Sequence, residues 1–213
     1  MIAPSTPSRY ASACWLITPR TPVMRATRIF TSTMLSRMTE PAARVDPPET
    51  ADELTILRAY LDYHRETFRW KATGLSREQL ATPHPPSTLT LAGLTKHLAL
   101  QEDWWLGVVL TGREHCAPFV GVDFDSDPEW EFRTATSDAP EELVALWERT
   151  IAASDAAVAA APDGVDTVSA KRSTSTGKGS SLRWILLHMV EEYARHNGHA
   201  DLIRENVDGL TGE

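Results

Sequence analysis

Apolar positions recur at helical spacing in four separate stretches of the chain, and the polar stretches between them carry the turn residues. In the first, Leu54, Leu57, Leu61, His64, Phe68 and Lys71 follow three- and four-residue steps, the period of one helix face. Thr50-Ala-Asp-Glu53 reads as a capping box ahead of it, and Gly74 as its stop. The second runs from about Thr90 to Leu110, with Leu91, Leu94, His97, Leu98, Gln101, Trp105 and Val108 on its period and Gly112 at its end. The third starts at Ser137 or Asp138, passes Leu143, Leu146, Trp147 and Ile151, and reaches Ala161 before Pro162-Asp-Gly. The fourth runs from Ser181 to about Val207, with Leu182, Ile185, Met189, His196 and Ile203 inward and Gly209 as a stop.

The intervening stretches predict loops. Thr82 to Pro86 holds three prolines, residues 113–137 form a long crossover, and residues 163–180 are polar and rich in Gly, Ser and Thr. Only Thr167 to Ala170 hints at strand alternation. The expected fold class is all-α, a four-helix bundle with long second and third connections.

Residues 1–49 carry no sustained period and are rich in Ser, Thr, Pro and Arg. A targeting peptide, a disordered extension, and a true start at Met24, Met34 or Met38 all fit that composition. Ala11 to Ile17 is too short an apolar run for a secretory signal. The expected domain division is therefore an extension over 1–49 and a helical domain over 50–213. Charge follows the same division. The chain carries a net −8, but residues 1–45 carry +5 and the remainder −13. An acidic body argues against nucleic acid, whose phosphates demand Lys and Arg, and against anionic membranes. Cys14 and Cys116 offer neither a disulfide framework nor a thiolate metal site, which fits a cytoplasmic protein.

The chemistry gathers on the fourth helix. At about 100° per residue, His188, Glu192, His196 and His199 fall near 0°, 40°, 80° and 20°. Ile185 and Ile203, near 60°, share that arc, so these polar groups point toward the core. On the second helix His97 and Gln101 share the arc of Leu94 and Val108. Burying such groups without partners would cost several kcal/mol, on the rough scale for uncompensated polar atoms. A divalent ion would compensate: imidazole and carboxylate suit zinc, nickel or iron. Glu192 and His196 stand one turn apart and can share an ion, with His97 arriving from the facing helix. Three protein ligands would leave one position open to water or a substrate thiol. His188 and His199 lie about 16.5 Å apart along the axis and cannot both join that ion. The alternative is a set of core histidines bonded to one another and to water.

Other residues carry less. Glu102 and Asp103, beside Trp104 and Trp105, are expected at a surface-to-core boundary, with the tryptophans as packing. Arg195, at the edge of the arc, is either solvated or a contact for an anionic substrate. Gly177-Lys178-Gly179-Ser180 lacks the earlier glycine and the strand of a phosphate loop. Cys116 has no activating neighbour in sequence. There is no GxSxG elbow and no HExxH.

Longer motifs add a resemblance. Leu94-Thr-Lys-His97-Leu-Ala-Leu-Gln-Glu-Asp-Trp-Trp105 and the run from Ser181 through His188, Glu192 and His196 to His199 resemble the second- and fourth-helix motifs of DinB-like proteins. Tyr60-Leu-Asp-Tyr63, Asp127-Pro-Glu-Trp-Glu-Phe132 and Asp208-Gly-Leu-Thr-Gly212 are similar as well. The branch resembled is the actinobacterial mini-circle-protein group, related to mycothiol-dependent maleylpyruvate isomerase. The resemblance covers about residues 50–213. It implies a metal held by His97, Glu192 and His196, with Glu192 standing where many relatives have histidine. It also implies mycothiol as co-substrate, activated as a metal-bound thiolate that attacks an electrophile, in a thiol S-transferase or isomerase. His199 or His188 would then relay a proton and Arg195 bind a carboxylate. The competing expectation is a non-catalytic metal-binding protein of stress response or ligand sensing. The expected partners are a small-molecule thiol and an electrophile. A homodimer is compatible with the sequence, on general frequency alone.

Overall fold

The helices begin where an acceptor stands ready for their free N–H groups. In the computed structural model, which describes residues 44–211, α1 (Glu53–Ala72) starts at Asp52. Its carboxylate accepts from both the backbone N–H and the hydroxyl of Thr55. The cap is therefore Asp52 and not Thr50, because a full negative charge answers the positive helix end better than a hydroxyl does. α2 (Arg77–Leu80) is a single turn closed by a reciprocal Ser76–Gln79 capping box. α3 (Leu91–Gln101) is capped by Thr90 and continues as a π-helix over Glu102–Val109. α5 (Pro140–Ala159) starts with proline in its first turn, later than Ser137 or Asp138. Proline's fixed φ suits that position and its missing N–H costs nothing there. Asp138 instead accepts from Lys96 at 2.7 Å. α6 (Leu182–Asp208) starts at Ser181 and ends at Gly209, whose φ of 78° is the left-handed conformation that glycine adopts without strain.

Two loop expectations need correction. The stretch 113–137 contains α4 (Trp130–Ala135). Six residues are too few to declare a period, and tertiary contacts hold the helix instead. Lys96 donates to Thr134 at 2.9 Å and lies over the Trp130 ring. The stretch 163–180 holds a 3₁₀ turn, Gly164–Asp166, and a single antiparallel bridge between Val168 and Ser181. The all-α expectation holds among the described residues. The expected extension lies mostly in residues 1–43, outside the described residues. Arg44 already packs on α1, donating to Thr67 and lying over the rings of Tyr63 and Trp70.

The long helices close around one core. α1 lies along α6, and α3 packs against both α5 and α6. Leu61, Phe68, Leu94, Leu98, Leu106, Trp147, Ile185 and Met189 are among the buried side chains between them. Each such residue contributes roughly 1.5–3 kcal/mol by leaving water. Among the described residues no helix is long and apolar enough to cross a membrane.

One polar network ties all four long helices together. Glu102, fully buried, receives two bonds of 2.8 Å from Arg65 of α1 and one of 2.8 Å from the Tyr193 hydroxyl of α6. Tyr193 in turn accepts from Trp147 of α5 at 2.7 Å. The remaining Arg65 nitrogen bonds Asp62 and Asp155. Asp103, also fully buried, receives Arg113 and His115 at 2.6 Å each. The boundary position expected for Glu102 and Asp103 is thus overturned: both lie inside, each paired with an arginine, Arg65 and Arg113 respectively.

Candidate metal centre

α3 and α6 run against each other, and this brings His97 of α3 to Glu192 and His196 of α6. One ligand atom from each of the three lies within 4.8 Å of the others. Nε2 of His196 is 3.3 Å from Oε2 of Glu192. The rings of His97 and His196 meet edge to face, 4.9 Å between centroids. The three side chains keep only 11–15% of their surface exposed.

α4 supplies what the sequence reading missed. Oε1 of Glu131 accepts from Nδ1 of His97 at 3.0 Å. That bond fixes the His97 tautomer and leaves Nε2 as the nitrogen available to a ligand. Phe132, next in sequence, stacks on the His97 ring at 4.8 Å. α4 reaches this close because residue 93 is glycine: a Cβ there would lie 2.9 Å from Phe132 Cδ1. The only sequence signal for Glu131 was its place in the Asp127–Phe132 motif, since a six-residue helix has no readable face.

His199 and His188 flank the cluster without joining it. The Nδ1 atoms of His199 and His196 lie 3.3 Å apart. His188 is stacked on Trp184 at 5.1 Å and meets Trp105 edge to face at 4.7 Å. Its Nε2 is 3.7 Å from Oε1 of Glu192 and its Nδ1 is 3.5 Å from Oε2 of Glu191. His188, Glu191 and Glu192 form a second, more exposed group of potential ligands. Arg195 is half-exposed and pairs with Glu191 one turn back. Cys116 is not an activated thiol: burial, then the hydrogen bond to Asp103, push it up to about 11.

Electrostatics favour ligation. Burial holds His196 below the ordinary histidine value, and the neutral form is the one that binds metal. Burial opposes the charged form of Glu192 as well, but the interaction with His196, the hydrogen bond foremost, outweighs it, and its carboxyl titrates below the usual range. Oε2 of Glu131 is buried without a hydrogen-bond partner among the described residues. Two imidazoles and a carboxylate, preorganised and screened from solvent, fit the donor chemistry of a divalent transition ion.

Four long helices around this His–Glu–His cluster define a DinB-like helical bundle. Within that class, residues 56–209 match the family model described as Mycothiol-S-transferase, and the chain belongs to that family. No curated protein matches it.

Proposed function

We propose that the chain is a metal-dependent S-transferase that joins a low-molecular-weight thiol of the mycothiol class to an electrophilic small molecule. The convergence of His97, Glu192 and His196 carries this reading. These three would hold the ion: two histidines and one glutamate are a catalytic zinc pattern, and nickel or iron suits the same donors. When bound, such an ion supplies Lewis acidity that lowers the pKa of a thiol.

The remaining roles follow from hydrogen positions. Glu131 keeps the His97 hydrogen on Nδ1. Ligation through Nε2 of His196 would place its hydrogen on Nδ1, donated to Nδ1 of His199. His199 then carries its own hydrogen on Nε2, as a donor to the substrate. Burial, then the charge of Arg195, hold His199 below the ordinary histidine value, so it stays neutral near pH 7. His188, the other imidazole within 4 Å of Glu192, is assigned the thiol proton. Trp105 and Trp184 wall that side chain. Arg195 holds Glu191 in place beside it.

The test pairs transfer assays with His97→Ala and His196→Ala. Mycothiol is offered with a panel of electrophiles, and conjugates are read by mass spectrometry. Turnover in the wild type that is lost in both variants and on chelation supports the reading. Full turnover in either variant, or in chelated protein, contradicts it.

A further inference from the structure

One cavity among the described residues stands apart from the His97 cluster. It is a space of about 670 Å³, lined by Trp104, Val108, Arg113, Glu114, His115 and Lys171 among others. Trp104 stands two helical turns beyond His97 on the same continuous helix, about 10 Å along the axis. Three features make this cavity a built site.

The floor is rigid. Buried Asp103 holds Arg113 and His115 at 2.6 Å each, one on each carboxylate oxygen, and so sets both side chains in place. Arg113 can lie across the helix only because residue 107 is glycine: a Cβ there would stand 2.1 Å from its Nη2. Nη1 of Arg113 is also fixed, donating to the Glu114 carbonyl at 2.8 Å.

The wall is tied to the helix. Ala170 and Lys171 donate their backbone N–H groups to the Leu110 and Val109 carbonyls at 3.0 Å each. This places the Lys171 ammonium 4.1 Å from the centre of the Trp104 ring, and His115 stacks on the same ring at 5.4 Å. Lys171 has no carboxylate partner among the described residues, although the chain as a whole is acidic.

Among the described residues the wall carries an unpaired cation. Of the basic residues between Asp166 and Glu191, Lys171 lines the cavity, whereas Arg183 is paired with Glu53 and Asp166. Asp103 is already paired with Arg113 and bonded to His115. Glu114, on the exposed rim, is the one acidic side chain that lines the cavity.

We propose that this cavity is a second ligand site, which binds the anionic oxygen group of a small molecule, a carboxylate or a phosphoryl group. Lys171 supplies the free charge, and Arg113 supplies oriented N–H donors beside it. The site is independent of any ion at His97, Glu192 and His196.

Calorimetric titration of the full chain with inorganic phosphate and, separately, with benzoate tests this and separates the two sources. The expected result is saturable one-to-one binding of at least one probe. Lys171→Met should weaken it about tenfold or more, the loss of one charge-assisted hydrogen bond. Arg172→Met, a neighbour in the same exposed loop that does not line the cavity, should leave it unchanged. No saturable binding of either probe overturns the proposal. So does binding that Lys171→Met leaves intact, which would place the anion elsewhere, and so does equal weakening by both variants, which would make the attraction diffuse.

Discussion

The Glu102 cluster and the His97 cluster share α6 and lie five residues apart on the continuous helix formed by α3 and its π-helical extension. Around Glu102 every polar atom is answered: both carboxylate oxygens, the whole guanidinium of Arg65, the Tyr193 hydroxyl and the Trp147 N–H all have partners within 3 Å, and Glu102 and Tyr193 are fully buried. In the His97 cluster Glu131 holds His97 at 3.0 Å, but Glu192 faces His196 and His188 only at 3.3 and 3.7 Å, the groups keep some solvent contact, and Oε2 of Glu131 is unanswered. A closed network spends its hydrogen-bonding capacity on holding helices together. An open one, with lone pairs converging, keeps that capacity for something else. Two polar clusters in one bundle thus divide the work between cohesion and chemistry.

The largest effect should come from opening the closed cluster. Arg65→Met leaves the Glu102 carboxylate buried and unpaired, at a cost of about 3–5 kcal/mol. His196→Ala removes a group with no such obligation and should cost the metal-free protein about 1 kcal/mol. Urea unfolding of both variants measures the difference, and equal costs would erase the division between the clusters.

Next comes the support of the open cluster. Glu131→Gln keeps the shape of α4 but weakens its hold on Nδ1 of His97. Metal affinity, read by chelator competition, should fall about 10–100-fold, the usual range for such supporting groups. Unchanged affinity would remove α4 from the centre.

A smaller effect separates the clusters by pH. Burial, then the adjacent Glu102 charge, hold Tyr193 well above its ordinary value of 10.0. The folded state keeps the phenol protonated after the unfolded chain has released its proton. The stability from this group is therefore complete below pH 10 and is lost as pH rises beyond it. Tyr193→Phe should flatten that alkaline decline while costing about 1–2 kcal/mol at neutral pH, since the Trp147 N–H loses its acceptor.

The helix ends at Ser181 and Gly209, and the arc of His188, Glu192, His196 and His199, could be read from period and cap chemistry, because α6 is long enough to declare its inner face. α4 could not: its six residues are fixed by Lys96 and by the absence of a side chain at Gly93, both distant in sequence. Glu102 and Asp103 read as a boundary because carboxylates beside tryptophans ordinarily face water. The signal that opposed this reading was Arg65, placed on the apolar period of Leu57, Leu61 and Phe68, where a buried cation requires a buried anion. The π-helical stretch has no pattern of its own, since its apolar residues also suit an α-helix. The cavity at Trp104 is closed by Lys171, 67 residues away in sequence, and leaves no local trace.

The central claim is that His97, Glu192 and His196 hold a metal ion. Elemental mass spectrometry on tag-free protein, wild type beside His196→Ala, measures it directly. One three-ligand site requires about one equivalent of zinc, nickel or iron in the wild type, and its loss in the variant. Wild-type protein without metal after reconstitution, or a variant that keeps its full complement, would contradict it.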